Sequence, residues 1–187
     1  TVTHNLGVVP ELMIVKARNN GSWDWCVYAS PLGNTKYLRL NGTFASTNGA
    51  TFWNNTTPTS SVFYLGTATD INASSAYNYV AYLFASCPGV SKVGSYTGTG
   101  ATQTISCGFT GGARFVMIKR TDTTGDWYVW DTARGMVSGT DPYLLLNTTA
   151  AEVNANNVYT ATGGVQIVGT GAGINASAGS YIFLAVS

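Results

Sequence analysis

An internal repeat constrains this chain more than any other feature. The stretch TVTHNLGVVPELMIVKAR (1–18) aligns with TISCGFTGGARFVMIKR (104–120), pairing Thr1 with Thr104 and Lys16 with Lys119. WDWCVY then matches GDWYVW through Trp25/Trp127 and Val27/Val129, and KYLRLNGT matches PYLLLNTT through Tyr37/Tyr143 and Asn41/Asn147. Later, TSSVFYLGTATDINAS corresponds to TGGVQIVGTGAGINAS, with Gly66 over Gly169 and INAS at both 71–74 and 174–177. The copies close on YVAYLFA and YIFLAVS. Chance would not preserve motif order throughout, so the pattern predicts two equivalent units rather than one continuous fold.

Within each copy the apolar residues recur with the period of a strand. In WDWCVY, Trp23, Trp25 and Val27 point one way while Asp24, Cys26 and Tyr28 point the other. LMIVK, FVMIK, YLRLN, VFYLG and NYVAYLF are short, rich in β-branched and aromatic residues, and separated by Gly, Asn, Ser and Thr clusters. Charged residues make up only 9% of the chain, against about a quarter in ordinary domains. Surface helices would lack their usual Glu, Lys and Arg.

The expected fold is therefore all-β: two tandem antiparallel β-sandwich domains, jelly-roll-like and related by internal duplication, over 1–90 and 91–187. The boundary is placed near CPGVSK, at 87–92. The second copy opens with GSYTGTGATQTIS (94–106), whose counterpart in the first would precede Thr1. Read as a strand, this segment implies that repeat 1 lacks its first strand, leaving an edge for an upstream segment or a neighbouring chain to fill.

Charge narrows the partners. Nine basic and eight acidic residues give a formal +1, and only Lys119 and Arg120 are adjacent. Phosphate neutralisation needs clustered cations, so nucleic acid is not expected as a partner. No apolar stretch reaches about 18 residues, and no membrane insertion is expected. Cys26, Cys87 and Cys107 show no CxxC spacing; a Cys87–Cys107 bridge stays open, and buried free thiols are the favoured reading.

Catalytic constellations are incomplete. His4 is the only histidine, Cys107 stands at its place in the second copy, and neither GxSxG nor HExxH occurs. No catalytic residue, metal or cofactor is assigned. Glycoside hydrolysis needs two carboxylates, and those unique to one copy, Asp70 and Asp131, are the better candidates for a site, since Asp24 and Asp126 recur and so serve the fold. DINAS offers oxygens at Asp70 and Asn72 for calcium, but GINAS lacks the carboxylate, which favours an Asx turn in both copies. GTGATQ and GTGAG lack the Lys and the strand-to-helix context of a nucleotide loop and are read as turns.

Five Trp, eleven Tyr and seven Phe, several beside Asn, Asp and Thr, form a mixture that suits the apolar faces and hydroxyls of sugars. Trp25, Trp127, Val27 and Val129 are expected in the cores. Trp53, Tyr28, Tyr128 and Trp130 are the rings expected at the surface, where with Asp70 and Asp131 they would form a ligand site. For any single ring, filling a core is the competing reading.

The motif series THNLGVVPELMIVKAR, SWDWCVY, KYLRLN, DINASSAYNYVAYLFA and CPGVSKVGSYTGTG resembles a repeat domain of tailed-bacteriophage tail and fibre proteins. The second copy gives SCGFTGGARFVMIKR, GDWYVW, PYLLLN and GINASAGSYIFLAVS, so the resemblance covers essentially the whole chain. Departures concentrate in the second copy, where Cys107 replaces the family's His and a Gly pair replaces the turn around Pro10. The resemblance implies a virion-surface, extracellular protein with other virion subunits as partners and a homo-oligomeric state. The expected function is a tail-fibre or decoration module contacting host surface glycan or neighbouring subunits. A purely structural building block and a polysaccharide-trimming glycosidase are the alternatives.

Overall fold

The β-branched and aromatic runs form strands, and their backbone groups pair into antiparallel sheets in the computed structural model, which describes residues 1–187. The fold is all-β, broken by two single helical turns and one short 3-10 turn. Contacts divide the chain into two compact units, Thr1–Ala85 and Ser86–Ser187. The division precedes the CPGVSK segment because Cys87 and Ser91 close a turn on each other and the Ser86 hydroxyl accepts the Val93 N–H at 3.1 Å. Residues 86–90 thus belong with the strand that follows them.

The first unit contains β1 (Val2–Thr3), β2 (Leu12–Ala17), β3 (Cys26–Ala29), β4 (Lys36–Arg39), β5 (Thr47–Asn48), β6 (Val62–Phe63), the helical turn α1 (Thr69–Asn72) and β7 (Tyr79–Phe84). One five-stranded sheet runs in the order β5-β4-β3-β2-β7, and β1 pairs separately with β6. Met13, Val15, Cys26 and Tyr28 from the large sheet meet Phe63 from the small ladder, Phe52 and Trp53 from the loop between β5 and β6, and Ile71 of α1. Leu12, Ile14 and Val27, on the opposite sheet face, are also buried. That explains why LMIV is a continuous apolar run rather than an alternating one.

The second unit contains β8 (Ser91–Thr97), β9 (Gln103–Ser106), β10 (Phe115–Arg120), β11 (Trp127–Asp131), β12 (Tyr143–Leu145), β13 (Val158–Ala161), β14 (Gly164–Ile167), the turn α2 (Ala172–Asn175) and β15 (Ser180–Val186). Its large sheet runs β12-β11-β10-β15-β8, and a smaller sheet runs β13-β14-β9. Val116, Ile118, Trp130, Phe183 and Ala185 pack with Val158, Val165 and Ile167.

Several expectations change in detail. The strand expected over WDWCVY starts only at Cys26, because side chains capture the preceding amides: Asp24 N–H donates to Asp70 Oδ1 and Trp25 N–H to Asn41 Oδ1. GSYTGTGATQTIS is not one strand. Ser91–Thr97 joins the large sheet and Gln103–Ser106 the small one, with Gly100 at φ +68° in the turn between. INAS ends a helical turn instead of an Asx turn: Asn72 N–H reaches Ala68 O and Asn175 N–H reaches Gly171 O. All three cysteines are free, so no Cys87–Cys107 bridge forms, and Cys87 is exposed while Cys26 and Cys107 are buried.

Candidate functional site

A lysine near the end of each apolar run faces a loop of carbonyls. In the first unit, Lys16 Nζ donates to Asn20 O at 2.8 Å and Trp23 O at 2.6 Å. In the second, Lys119 Nζ donates to Arg120 O and Gly125 O, both at 2.8 Å. Lys119 is fully buried, and that burial pushes its ammonium down to about 8 against the pull of Asp126 and Asp122. Both amines close the turn into the next strand.

The recurrent Asp–Asn pairs act on the other side of that turn. Asn41 Nδ2 donates to Asp24 Oδ1 at 2.9 Å while its Oδ1 accepts Trp25 N–H. Asn147 does the same with Asp126 Oδ1 at 2.8 Å and Trp127 N–H. Arg39 adds an ion pair to Asp24 at 2.7 Å. These polar groups are arranged to end strands, with donors and acceptors turned on one another.

The aromatic residues expected at the surface lie elsewhere. Trp53 and Trp130 are fully buried and Tyr28 is 2% exposed; Tyr128 is partly buried against the second core. Tyr28 meets Trp53 edge-on at 5.7 Å, and Trp53 Nε1 donates to Lys36 O. Tyr128 stacks on Trp130 at 5.6 Å, with Tyr143 tilted against both. The correction has a simple cause: both sheet faces are covered, so the polar-side positions of the alternation are interior too. Trp127, Val27 and Val129 are buried as expected, and Trp25 is half-buried.

Asp70 and Asp131 belong to different units. Asp70 accepts the Asp24 N–H at 3.2 Å. Asp131 receives the Arg134 N–H at 2.9 Å and its guanidinium at 2.6 Å, and Arg134 also reaches Glu152 at 3.1 Å. Asp70 thus ties α1 to the turn before β3, and Asp131 closes the turn that follows β11. His4 is likewise held in place, with Nε2 on Thr59 O and Nδ1 accepting Leu6 N–H. No three His, Cys, Asp or Glu side chains converge as metal donors. No helix is long and apolar enough to cross a membrane.

Two polar residues carry more structure than their sequence context signalled. Asp141 is fully buried and accepts the N–H groups of Asn157 and Val158, each at 2.8 Å. Burial raises its carboxyl above the ordinary range against those two bonds. Asn175, also fully buried, accepts from Thr99 N–H and Gln103 Nε2 and donates to Ala101 O and Gly169 O. INAS in both copies was the only hint, and only the second Asn is enclosed. The most exposed rings are Phe44, 61% exposed beneath the Arg39 guanidinium, and Tyr82.

No curated protein and no solved structure matches the chain. The model of one family, described as Domain of unknown function (DUF7483), matches residues 1–187, and the protein belongs to that family.

Proposed function

We propose that the chain is a non-catalytic building block of a bacteriophage virion surface, made of two jelly-roll-like β-sandwich domains related by internal duplication. Neighbouring virion subunits and further copies of the chain are its partners. One observation carries this reading: three pairs of side chains common to both units are used on the same internal tasks. Lys16 and Lys119 tie down turns, Asn41 and Asn147 cap the following strand, and Tyr79 and Tyr181 each bridge the helical turn. Tyr79 Oη donates to Thr69 O and accepts Ala73 N–H; Tyr181 Oη does so with Ala172 O and Ala176 N–H.

Such economy leaves surface shape and strand edges, rather than a reactive cleft, as the exposed assets. The order of motifs shared with tailed-phage repeat domains supports the virion setting. Host-glycan contact draws no support from Trp53, Tyr28 and Trp130, whose faces are enclosed in the cores.

Mass measurement in solution tests the reading, together with binding and turnover assays on surface polysaccharides. Defined oligomers with neither glycan binding nor hydrolysis are expected. A chain that stays monomeric at high concentration, or that cleaves a polysaccharide, overturns it.

A further inference from the structure

The two large sheets differ at one edge. In the second unit β15 lies between β10 and β8, paired with β8 from Ser180↔Thr97 to Val186↔Ser91. In the first unit β7 pairs with β2 alone, and no strand lies on its outer side. Register makes the comparison residue by residue: Val80 faces Lys16 as Ile182 faces Lys119, and Tyr82 faces Ile14 as Leu184 faces Met117. Leu184, opposite Val93 of β8, is 4% exposed, whereas Tyr82 is 47% exposed. The β7 sequence, YVAYLF, has no charge, no proline and no bulge to discourage pairing.

A second, independent difference sits at the helical turn. Asn175 is enclosed by the segment that follows β8, taking Thr99 N–H and Gln103 Nε2 on its Oδ1. Asn72, at the same step of α1, keeps only its Nδ2 bond to Gly66 O at 2.6 Å and is exposed. Tyr96 of β8 stacks on Tyr181 at 4.9 Å and donates its hydroxyl to Ile174 O. Tyr79 and Ile71 occupy the corresponding places in the first unit.

We infer that the outer edge of β7, with the Asn72 amide, is a docking site for an extended polypeptide segment of β8's chemistry that comes from outside residues 1–187. The segment runs antiparallel to β7, sets a tyrosine on Tyr79 with its hydroxyl at Ile71 O, and gives a backbone N–H to Asn72 Oδ1. β8 itself is not the occupant: the side of it that would have to pair is taken by β15, and no ladder joins it to β7. Selectivity differs at one step. Gly94 lies against Phe183, where a Cβ would come within 2.8 Å of the ring, but the first unit has Ala81 there, so the occupant accepts a side chain at that point. The assignment deepens the building-block reading and rests on its equivalence of the two units.

The test uses the full chain and a synthetic peptide with the sequence of residues 90–103, VSKVGSYTGTGATQ, read by amide hydrogen exchange. Bound peptide is expected to slow exchange across Tyr79–Phe84 by about tenfold or more while leaving the β5 and β12 edges unchanged. A Tyr96→Ala peptide should protect far less, and a Gly94→Pro peptide, missing a ladder donor, should not protect at all. No protection at millimolar peptide overturns the proposal, as does protection indifferent to Tyr96→Ala. So does a peptide-free dimer whose β7 amides are already protected, because the edge then belongs to a second copy. Solution mass on the same samples separates the two readings. An assembled protein that ignores the peptide sinks the edge assignment, and a lasting monomer that still binds it upholds the edge while sinking the assembly role.

Discussion

A Cβ placed on Gly173 would lie 2.5 Å from the Tyr128 hydroxyl, so the bare backbone of α2 and the ring on β11 fit against each other. In the first unit the corresponding steps carry Asp70 and Cys26, a larger residue on the turn and a smaller one on the strand. At these aligned positions the two units make opposite size choices. Gly173→Ala is therefore expected to cost about 1–3 kcal/mol, and Tyr128→Cys in the same chain should recover part of that loss. Urea denaturation of the two single variants and the double variant checks it; additive losses would show that the two sites do not meet.

Lys119 gives the next prediction. Replacing it with Met keeps the stem but leaves the Arg120 and Gly125 carbonyls without their donor in a buried setting. The expected loss is about 2 kcal/mol, from desolvated acceptors left unpaired. Lys16→Met should cost less, because Lys16 is only half-buried and water can replace the amine. Comparison of the denaturation midpoints of the two variants reads the difference directly.

Asn175 and Asn72 should separate more widely. Asn175→Ala removes four side-chain hydrogen bonds at a fully buried site, for an expected cost of about 3 kcal/mol and faster amide exchange in the 98–103 connection. Asn72→Ala removes one bond at an exposed site and should cost about 1 kcal/mol or less. Equal losses would mean that the enclosure of Asn175 adds nothing.

The thiols make stability depend on alkaline pH. Burial pushes Cys107 up to about 11, from an ordinary value near 9, and pushes Cys26 up further. Above pH 9 the unfolded chain releases both protons while the folded chain keeps them, so these groups lower stability as pH rises. Lys119 acts oppositely: folded, it releases its proton near 8, while the unfolded amine holds it to about 10.5, which adds stability over that window. Two thiols outweigh one amine, so the denaturation midpoint is expected to fall between pH 9 and 10. In the double variant Cys26→Ala/Cys107→Ala the fall should become much shallower, because only the buried hydroxyls of Tyr28, Tyr96, Tyr128 and Tyr181, which burial also pushes up, then oppose Lys119. A thiol-specific reagent should label Cys87 in the native protein and reach the other two only on unfolding.

The strands were legible where side chains alone decide backbone conformation. LMIVK, FVMIK and NYVAYLF are β-branched or aromatic at nearly every step, and they became β2, β10 and β7. Period-two alternation also separated the faces correctly, but it could not tell that both faces would be covered. Alternation therefore puts Tyr28 and Trp130 at the surface, although they fill cores. Trp53 was illegible for another reason. It lies in a loop between β5 and β6, and its indole turns under the sheet to Lys36 O, a contact set by chain path rather than by local pattern. Asp141 shows the same limit, since the amide groups it satisfies lie 16 and 17 residues downstream.

The position of β15 has a consequence for how the protein is made. It is the last strand of its unit in sequence, yet it sits inside the sheet between β10 and β8. On the ribosome, β8 and β10 emerge with a gap between them that nothing earlier in their unit fills, and the sheet closes only when Ser180–Val186 arrive. The second unit therefore completes its large sheet in one long-range step, only after Ser180–Val186 have emerged, whereas every strand of the first unit is made before β8.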